Sequence, residues 1–182
     1  MLEIINKLDI NILHFIRDNF SNVFMDKLMI LVTSLGDKGL IWIVIALILL
    51  SIKKYRKVGV ILLISLLITS LFGEGLVKNI IQRPRAFITY PDISILINPP
   101  TSFSFPSGHT ASSFAAAVVL GYYFKNWRFL FYFFATLIAF SRLYLFVHYP
   151  SDIIVGIILG VTCGLLTINF IDKDSFLKYK KI

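Results

Sequence analysis

The residues best suited to chemistry lie in the stretch 141–152, which contains Arg142, His148 and Asp152 between two long apolar runs. An arginine or aspartate at the centre of a membrane helix costs roughly 2.5–3.5 kcal/mol on insertion scales, so charges in such surroundings indicate a function. A carboxylate four residues after a histidine can hold the ring in one tautomer and leave the other nitrogen free as a base or nucleophile. The spacing therefore predicts that His148 is catalytic and that Asp152 orients it.

Two further polar groups accompany this stretch. The first consists of three cations where an apolar run ends: Lys78, Arg83 and Arg85. The second is a turn before the next apolar run: Pro106, Ser107, Gly108 and His109. Backbone N–H groups at a helix start are unpaired and attract anions, so Ser107 and Gly108 are predicted to bind one there.

Together these groups favour phosphoryl transfer. Fixed donors stabilise charge on the equatorial oxygens, a nucleophile attacks in line, and an acid protonates the leaving oxygen. The sequence has neither the glycine-lysine pattern of a P-loop nor a carboxylate cluster suited to magnesium. We therefore predict a covalent route through histidine, with no metal and no cofactor.

Composition places these groups in a membrane. Of 182 residues, 57% are hydrophobic and 15% charged, which is too apolar for an ordinary soluble domain. The net charge of +8 comes from short basic clusters between apolar runs. That pattern is typical of cytoplasmic loops, so we expect the bilayer, rather than nucleic acid, to be a partner. The lone Cys163 offers neither a disulfide nor a cysteine metal site.

The apolar runs predict an all-α fold, a polytopic membrane helical bundle of about six membrane helices, forming one domain over residues 1–182. Apolar residues spaced by three and four over 1–20 predict an amphipathic helix at the membrane surface. The segment 22–36 either spans the bilayer or dips into it. The clearer candidate spans are 39–52, 58–77, 108–125, 128–147 and 152–171. Gly156, Gly160 and Gly164 share one helix face, which another helix can approach closely.

Basic clusters predict the orientation. The loops at 53–57 and 125–128 and the tail 172–182 carry most of the lysines and arginines, so the positive-inside rule assigns them to the cytoplasm. Alternation then places 78–107 and 147–152 on the outer face, where Lys78 and Arg85 break the rule and suggest an anionic ligand. The outer loop 86–105 is equally consistent with a lid over a lipid site and with a connector anchored in the headgroups.

The three polar groups resemble the signature motifs of the type 2 phosphatidic acid phosphatase superfamily of membrane lipid phosphatases. The first motif is lysine, six residues, arginine and proline; Lys78 and Arg85 match it, but Ala86 replaces the proline. The second, Pro-Ser-Gly-His, is matched in full at 106–109. The third is matched in full by Ser141, Arg142, His148 and Asp152. In order and spacing the resemblance covers 78–152.

The resemblance implies a role for each matching residue. His148 would attack phosphorus and carry a phosphohistidine, with Asp152 orienting its ring. His109 would protonate the leaving oxygen and then activate water. The phosphate oxygens would be held by Lys78, Arg85, Ser107, Gly108 and Arg142. For two nearby residues the sequence suggests contacts only: Arg83 with a headgroup, and Glu74 with Lys78 four residues on.

The resemblance also implies a lipid phosphate or diphosphate as substrate, at the outer face of the plasma membrane. Undecaprenyl diphosphate is the first expectation, and phosphatidylglycerophosphate or phosphatidic acid is the alternative. A non-catalytic binder or transporter of lipid phosphate is an alternative of another class. Two histidines count against it, since binding alone needs cations but neither an acid nor a nucleophile. The sequence leaves the oligomeric state open.

Overall fold

In a computed structural model of the protein, residues 2–173 are described, and every regular element among them is helical. The α-helices of this part of the chain are α1 (Leu2–Phe20), α2 (Val23–Gly36), α3 (Leu40–Ser51), α4 (Arg56–Ser70), α5 (Lys78–Ile81), α6 (Ala86–Thr89), α7 (Gly108–Tyr123), α8 (Arg128–Tyr144) and α9 (Pro150–Ile171). Short 3₁₀ turns precede α3, α4 and α8, and a π-helical segment (Leu71–Val77) joins α4 to α5. The predicted all-α fold is confirmed.

Helix α7 lies at the centre and packs against α4, α8 and α9. Small residues make this possible: a Cβ atom at Gly160 of α9 would collide with the carbonyl oxygen of Ala111, and one at Gly164 would lie 2.9 Å from the Val118 side chain. The glycine face of α9 therefore sits directly against α7, as close helix packing in membranes requires.

Three helical segments of the described chain are long and apolar enough to cross a membrane: Val23–Ser51, Lys53–Thr89 and Pro150–Ile171. The predicted count of about six is therefore not reproduced as six separate spans. One reason is that α2 and α3, with 14 and 12 residues, are each too short for a separate span and meet at a kink, where Lys38 (φ 52°) and Gly39 (φ 72°) are left-handed. Another is that α7 and α8, with 16 and 17 residues, are shorter than the about 20 that a straight span needs.

The amphipathic α1 lies beside the C-terminal end of α8 and the N-terminal end of α9. Its Leu13 and Ile16 are buried, whereas Leu8 and Phe15 are exposed. Arg17 Nη1 donates a hydrogen bond to the carbonyl oxygen of Ser94 in the outer loop (3.1 Å). This helix is therefore at the same end of the bundle as the three motifs.

The basic loops meet at the opposite end. Lys57 Nζ lies 2.7 Å from Asp172 Oδ1, and the Tyr123 hydroxyl donates to Asp172 Oδ2 (2.6 Å). The rings of Tyr55 and Phe124 are in edge contact at 5.3 Å between centroids. Residues before α4, after α7 and after α9 thus share one end. Of the predicted tail 172–182, only residues 172 and 173 lie within the described part.

Candidate active site

A cavity of about 1250 Å³ opens at the end that carries the motifs. Its walls come from the α2–α3 turn, the π-helical segment, the start of α7 and the outer loop. The predicted site residues that line it are Lys78, Arg85, Gly108, His109, Arg142 and His148. Asp152 lies behind His148. The structure thus brings residues from all three motifs to one cavity.

His148 and Asp152 form the predicted pair. His148 Nδ1 lies 3.4 Å from Asp152 Oδ2, and both residues are fully buried. The same carboxylate oxygen accepts from the Ser104 hydroxyl (2.5 Å) and from the backbone N–H of Tyr149 (2.9 Å). The latter contact closes a capping box at the start of α9, so Asp152 both caps its own helix and faces the histidine.

The tautomer of His148 follows from its other nitrogen. Arg85 Nη1 lies 3.1 Å from His148 Nε2. A guanidinium can only donate, so Nε2 accepts and the proton is on Nδ1, facing Asp152. Burial lowers the pKa of the His148 imidazole well below its ordinary value, and the nearby charges of Arg85 and Arg142 act in the same direction, against Asp152. The ring is therefore neutral at neutral pH and keeps the Nε2 lone pair that a nucleophile needs.

Arg85 and Lys78 are buried cations held by the outer loop. Arg85 Nε donates to the carbonyl oxygen of Ser102 (2.7 Å), and Nη2 donates to the Ser102 hydroxyl (3.0 Å). Lys78 Nζ lies 2.5 Å from Glu74 Oε1, the pair expected from the sequence, and 3.5 Å from the Ser102 hydroxyl. Ser102 thus occupies the space between the two cations.

Arg142 is a third cation at the cavity. It is buried, and its Nη1 donates to the hydroxyl of Thr33 on α2. Its Nε has no hydrogen-bond partner among the described residues. A buried donor without an acceptor costs about 1–3 kcal/mol, and more when it is charged. Because Arg142 lines the cavity, this donor favours an anionic ligand there.

His109 is paired with a residue that the sequence did not single out. Its Nε2 lies 2.8 Å from Asp37 Oδ1, in the turn between α2 and α3. An ionised carboxylate only accepts, so Nε2 carries a proton and Nδ1 is the second proton site. The turn approaches so closely that a Cβ atom at Gly36 would lie 2.8 Å from the His109 ring. A charged turn between two apolar runs was the available signal for Asp37.

Glu74 occupies the place predicted for an anion. A Cβ atom at Gly108 would collide with its carboxylate, so the carboxylate lies against the start of α7. Glu74 belongs to the π-helical segment, and such segments are frequent at functional sites. An anion beside Gly108 and Lys78 is what the helix terminus and the cation both favour.

The structure buries Ser107, which is predicted to bind an anion, at the start of α7. It is the N-cap of α7: its hydroxyl accepts from the Thr110 backbone N–H (3.4 Å) and the Thr110 hydroxyl (2.9 Å). It is fully buried and does not line the cavity. Its role here is to start the helix that carries His109.

Two serines of the outer loop were missed by sequence reasoning. Ser102 contacts Lys78 and Arg85, and Ser104 contacts Asp152. Their spacing in the sequence does not predict a place at the site, because only the folding of the loop brings them next to these residues.

Ala86, which replaces the motif proline, is the first residue of α6. Proline is common at that position because the N–H is unpaired anyway, so alanine keeps the helix start intact.

Comparison with known proteins assigns the chain to a family. The model of the PAP2 superfamily matches residues 54–176. An undecaprenyl-diphosphatase of Sulfolobus acidocaldarius is 32% identical over 147 residues, covering 80% of this chain and 70% of the relative. Phosphatidylglycerophosphatase B of Bacillus subtilis is 28% identical over 168 residues, covering 86% and 80%.

Solved structures agree with the fold. LpxE of Aquifex aeolicus superimposes with a TM-score of 0.78 at 27% identity, covering 89% of this chain and 95% of that one. A transmembrane PAP2-type phosphatidylglycerolphosphate phosphatase of Bacillus subtilis gives 0.73 at 26%, covering 92% and 86%. With the family model spanning most of the chain, and motif residues from all three groups at one cavity, this protein belongs to the PAP2 superfamily of membrane lipid phosphatases.

Proposed function

We propose that this protein hydrolyses undecaprenyl diphosphate to undecaprenyl phosphate at the outer face of the plasma membrane, without a metal and through a phosphohistidine. The observation that carries the proposal is the position of His148. Its Nε2 is unprotonated and lies at a cavity that also holds Lys78, Arg85 and Arg142. A nucleophile and three cations at one cavity are suited to a phosphoryl group.

In the first step the terminal phosphoryl group takes the place of His148 Nε2 as an acceptor for Arg85. The Nε2 lone pair forms the P–N bond, and the bond from phosphorus to the bridging oxygen breaks. His109 gives a proton to that oxygen, and undecaprenyl phosphate leaves. The phosphoryl group displaces the Glu74 carboxylate from the start of α7 and from Lys78. The negative charge on the three equatorial oxygens is then neutralised by Lys78, Arg85 and Arg142, helped by the Gly108 amide.

In the second step water attacks the phosphorus of the phosphohistidine. His109, now deprotonated, accepts a proton from the water, the P–N bond breaks, and inorganic phosphate is released. Asp152 holds the His148 ring through Nδ1–H in both steps, so the same nitrogen attacks and leaves. Each step needs only groups that line the cavity or contact His148 directly.

The proposed orientation in the membrane and the proposed substrate are supported by different observations. The basic loops share the end opposite the cavity, which favours an outward-facing site under the positive-inside rule. The diphosphate released by wall polymerisation is produced on that side. The relative from Sulfolobus acidocaldarius is named as an undecaprenyl-diphosphatase.

The test uses the purified protein in detergent with EDTA. We expect phosphate release from undecaprenyl diphosphate, inhibition by vanadate, and loss of turnover in His148→Ala with folding preserved. His14→Ala is the matched control, because His14 lies on α1 against Tyr90 and Phe146 rather than at the cavity. Activity that EDTA abolishes and magnesium restores would contradict the metal-free route, as would substantial activity in His148→Ala.

Phosphatidylglycerophosphate is the second candidate substrate. The similarity to the Bacillus subtilis phosphatase of known structure covers 92% of this chain and favours it. A panel of undecaprenyl diphosphate, phosphatidylglycerophosphate and phosphatidic acid in the same detergent decides between them by kcat/KM. Binding of all three lipids without phosphate release would instead indicate a non-catalytic binder or transporter.

A further inference from the structure

Arg83 is the second cation at the His148–Asp152 pair. Its Nη1 lies 2.7 Å from Asp152 Oδ1, the carboxylate oxygen that does not face His148. The same nitrogen donates to the Ser151 hydroxyl (2.7 Å). The guanidinium is stacked on the Tyr149 ring, 3.8 Å from its centroid. Arg83 thus contacts Asp152 from behind, on the side away from the cavity.

The backbone explains why two neighbouring arginines serve one pair. Gln82 is left-handed (φ 50°) and ends α5, and the chain from Arg83 to Arg85 is not helical. Pro84, whose ring fixes φ at about −65°, separates the two arginines in this stretch. Arg83 reaches Asp152 Oδ1, and Arg85 reaches His148 Nε2.

The other half of the Arg83 guanidinium is held by α1. Nη2 lies 2.8 Å from Asp9 Oδ2 and 3.1 Å from Asn6 Oδ1. Asp9 is buried, and its carboxylate also accepts from the backbone N–H (2.9 Å) and hydroxyl (2.5 Å) of Ser151. Asp9 is therefore a charged residue of an amphipathic helix that is buried against the start of α9. Its partner there, Ser151, directly precedes Asp152.

We propose that Arg83 is a positioning residue for Asp152, and that Asp9 of α1 fixes Arg83, so the surface helix is part of the catalytic assembly. The proposal rests on the phosphatase function proposed above. Asp152 orients His148 only while its own carboxylate is fixed. Ser104 and Tyr149 hold one carboxylate oxygen of Asp152, and Arg83 holds the other. Asp9 in turn holds the guanidinium of Arg83 in position.

The chemistry gives this arrangement a measurable consequence. A nucleophile displaced by about 1 Å can lose about a hundredfold in rate, whereas the phosphate-binding cations on the cavity side are untouched. Loss of the Arg83 contact should therefore lower kcat and leave KM nearly unchanged. A group that merely stabilises the fold would instead lower the fraction of active protein, with kcat per folded molecule preserved.

The experiment measures kcat, KM and thermal unfolding of the full-length protein in detergent. We expect Arg83→Gln to lower kcat by about tenfold to a hundredfold with KM within about twofold, and Arg83→Lys to restore part of the loss. Asp9→Asn should lower kcat less. The double variant should be no slower than Arg83→Gln alone, because Asp9 acts through Arg83.

Two matched controls lie on the same helix. Arg17→Gln removes another arginine contact between α1 and the outer loop without touching Asp152. Asp18→Asn removes an exposed carboxylate of α1. Both should keep kcat within about twofold of the original protein, as surface substitutions away from special contacts usually do. The proposal would be overturned if the losses of kcat in Asp9→Asn and Arg83→Gln multiplied in the double variant. A kcat for Arg83→Gln equal to that of these controls would also overturn it.

Unfolding separates this proposal from the proposed function. If the original protein hydrolyses no lipid phosphate, the function fails, and the link from α1 to Asp152 is still judged by the melting temperatures of the two single variants and the double one. Shifts that are not additive support the coupling of Asp9 to Arg83, and additive shifts refute it.

Discussion

The two histidines are each paired with a carboxylate, but through different nitrogens. His148 uses Nδ1 toward Asp152 and so presents Nε2, whereas His109 uses Nε2 toward Asp37 and so has Nδ1 as its second proton site. Their carboxylates differ as well: the Asp152 side chain is 0% exposed, whereas that of Asp37 is 63% exposed. A buried, fixed partner suits a nucleophile that must hold one orientation. A partner in contact with solvent suits a group that exchanges protons in each cycle.

Asp37 is predicted to support the acid-base role proposed for His109. Asp37→Asn keeps an oxygen that can accept from Nε2–H but removes the charge that stabilises the protonated ring. We expect kcat for a lipid substrate to fall about tenfold, which is part of the 10²–10⁴ that general acid-base catalysis contributes. Phosphorylation by p-nitrophenyl phosphate, whose leaving group needs no protonation, should fall less in a pre-steady-state measurement.

The matched control for this prediction is Asp92→Asn, which changes an exposed carboxylate in the outer-loop turn. This variant should leave the rates with both substrates unchanged. Equal losses with the lipid and the aryl substrate would show that Asp37 does not act through proton donation.

At the scale of helices, the site depends on how closely α9 approaches α7. Asp152 lies in the first turn of α9 and His109 in the first turn of α7, so the contact of Gly160 and Gly164 with α7 sets the distance between the two motifs. The backbone N–H of Ser107 also donates to the carbonyl oxygen of Asp152 (3.2 Å). The second and third motifs are therefore one packed unit.

Gly160→Ala tests this contact. Its Cβ would meet the Ala111 carbonyl, which cannot move without shifting α7, so we expect a loss of about 1–3 kcal/mol of stability and reduced activity. Gly75→Ala is the matched control, since a Cβ there has no atom within 4 Å and alanine favours a helix. Thermal unfolding in detergent measures both. A melting temperature for Gly160→Ala equal to that of Gly75→Ala would contradict the prediction.

The sequence predicts the helices better than their connections. Uncharged runs mark helices such as α3 and α9 to within about two residues, because a membrane requires backbone groups to pair within a segment. Motif spacing predicts His148, Asp152 and His109 as site residues, and the structure places both histidines at one cavity with Asp152 against His148. The sequence does not predict the contacts of Asp37 and Ser104, because these depend on how a turn and a loop fold over the cavity. Hydrophobicity carries no information on that.

For the whole molecule, the two ends differ in chemistry. One end holds the cavity, α1 and the outer loop, and the other holds the basic turns around Lys57 and Lys125 together with Asp172. Lysines and arginines outside the site therefore concentrate where the positive-inside rule predicts cytoplasm. The cations at the cavity depart from this pattern and are held by specific partners such as Glu74 and Ser102, and α1 carries Lys7 and Arg17 at the same end.

This asymmetry predicts what a membrane-impermeant maleimide labels in intact bacteria. In a Cys163→Ala background, Asn98→Cys in the outer loop should react in whole cells, and Asn126→Cys in the turn before α8 should react only after permeabilisation. The two positions are a matched pair: both are exposed asparagines outside the helices α1–α9. Both must react in lysed cells, which shows that each thiol is accessible. Labelling of Asn126→Cys in intact cells, with Asn98→Cys protected, would reverse the orientation and place phosphate release in the cytoplasm.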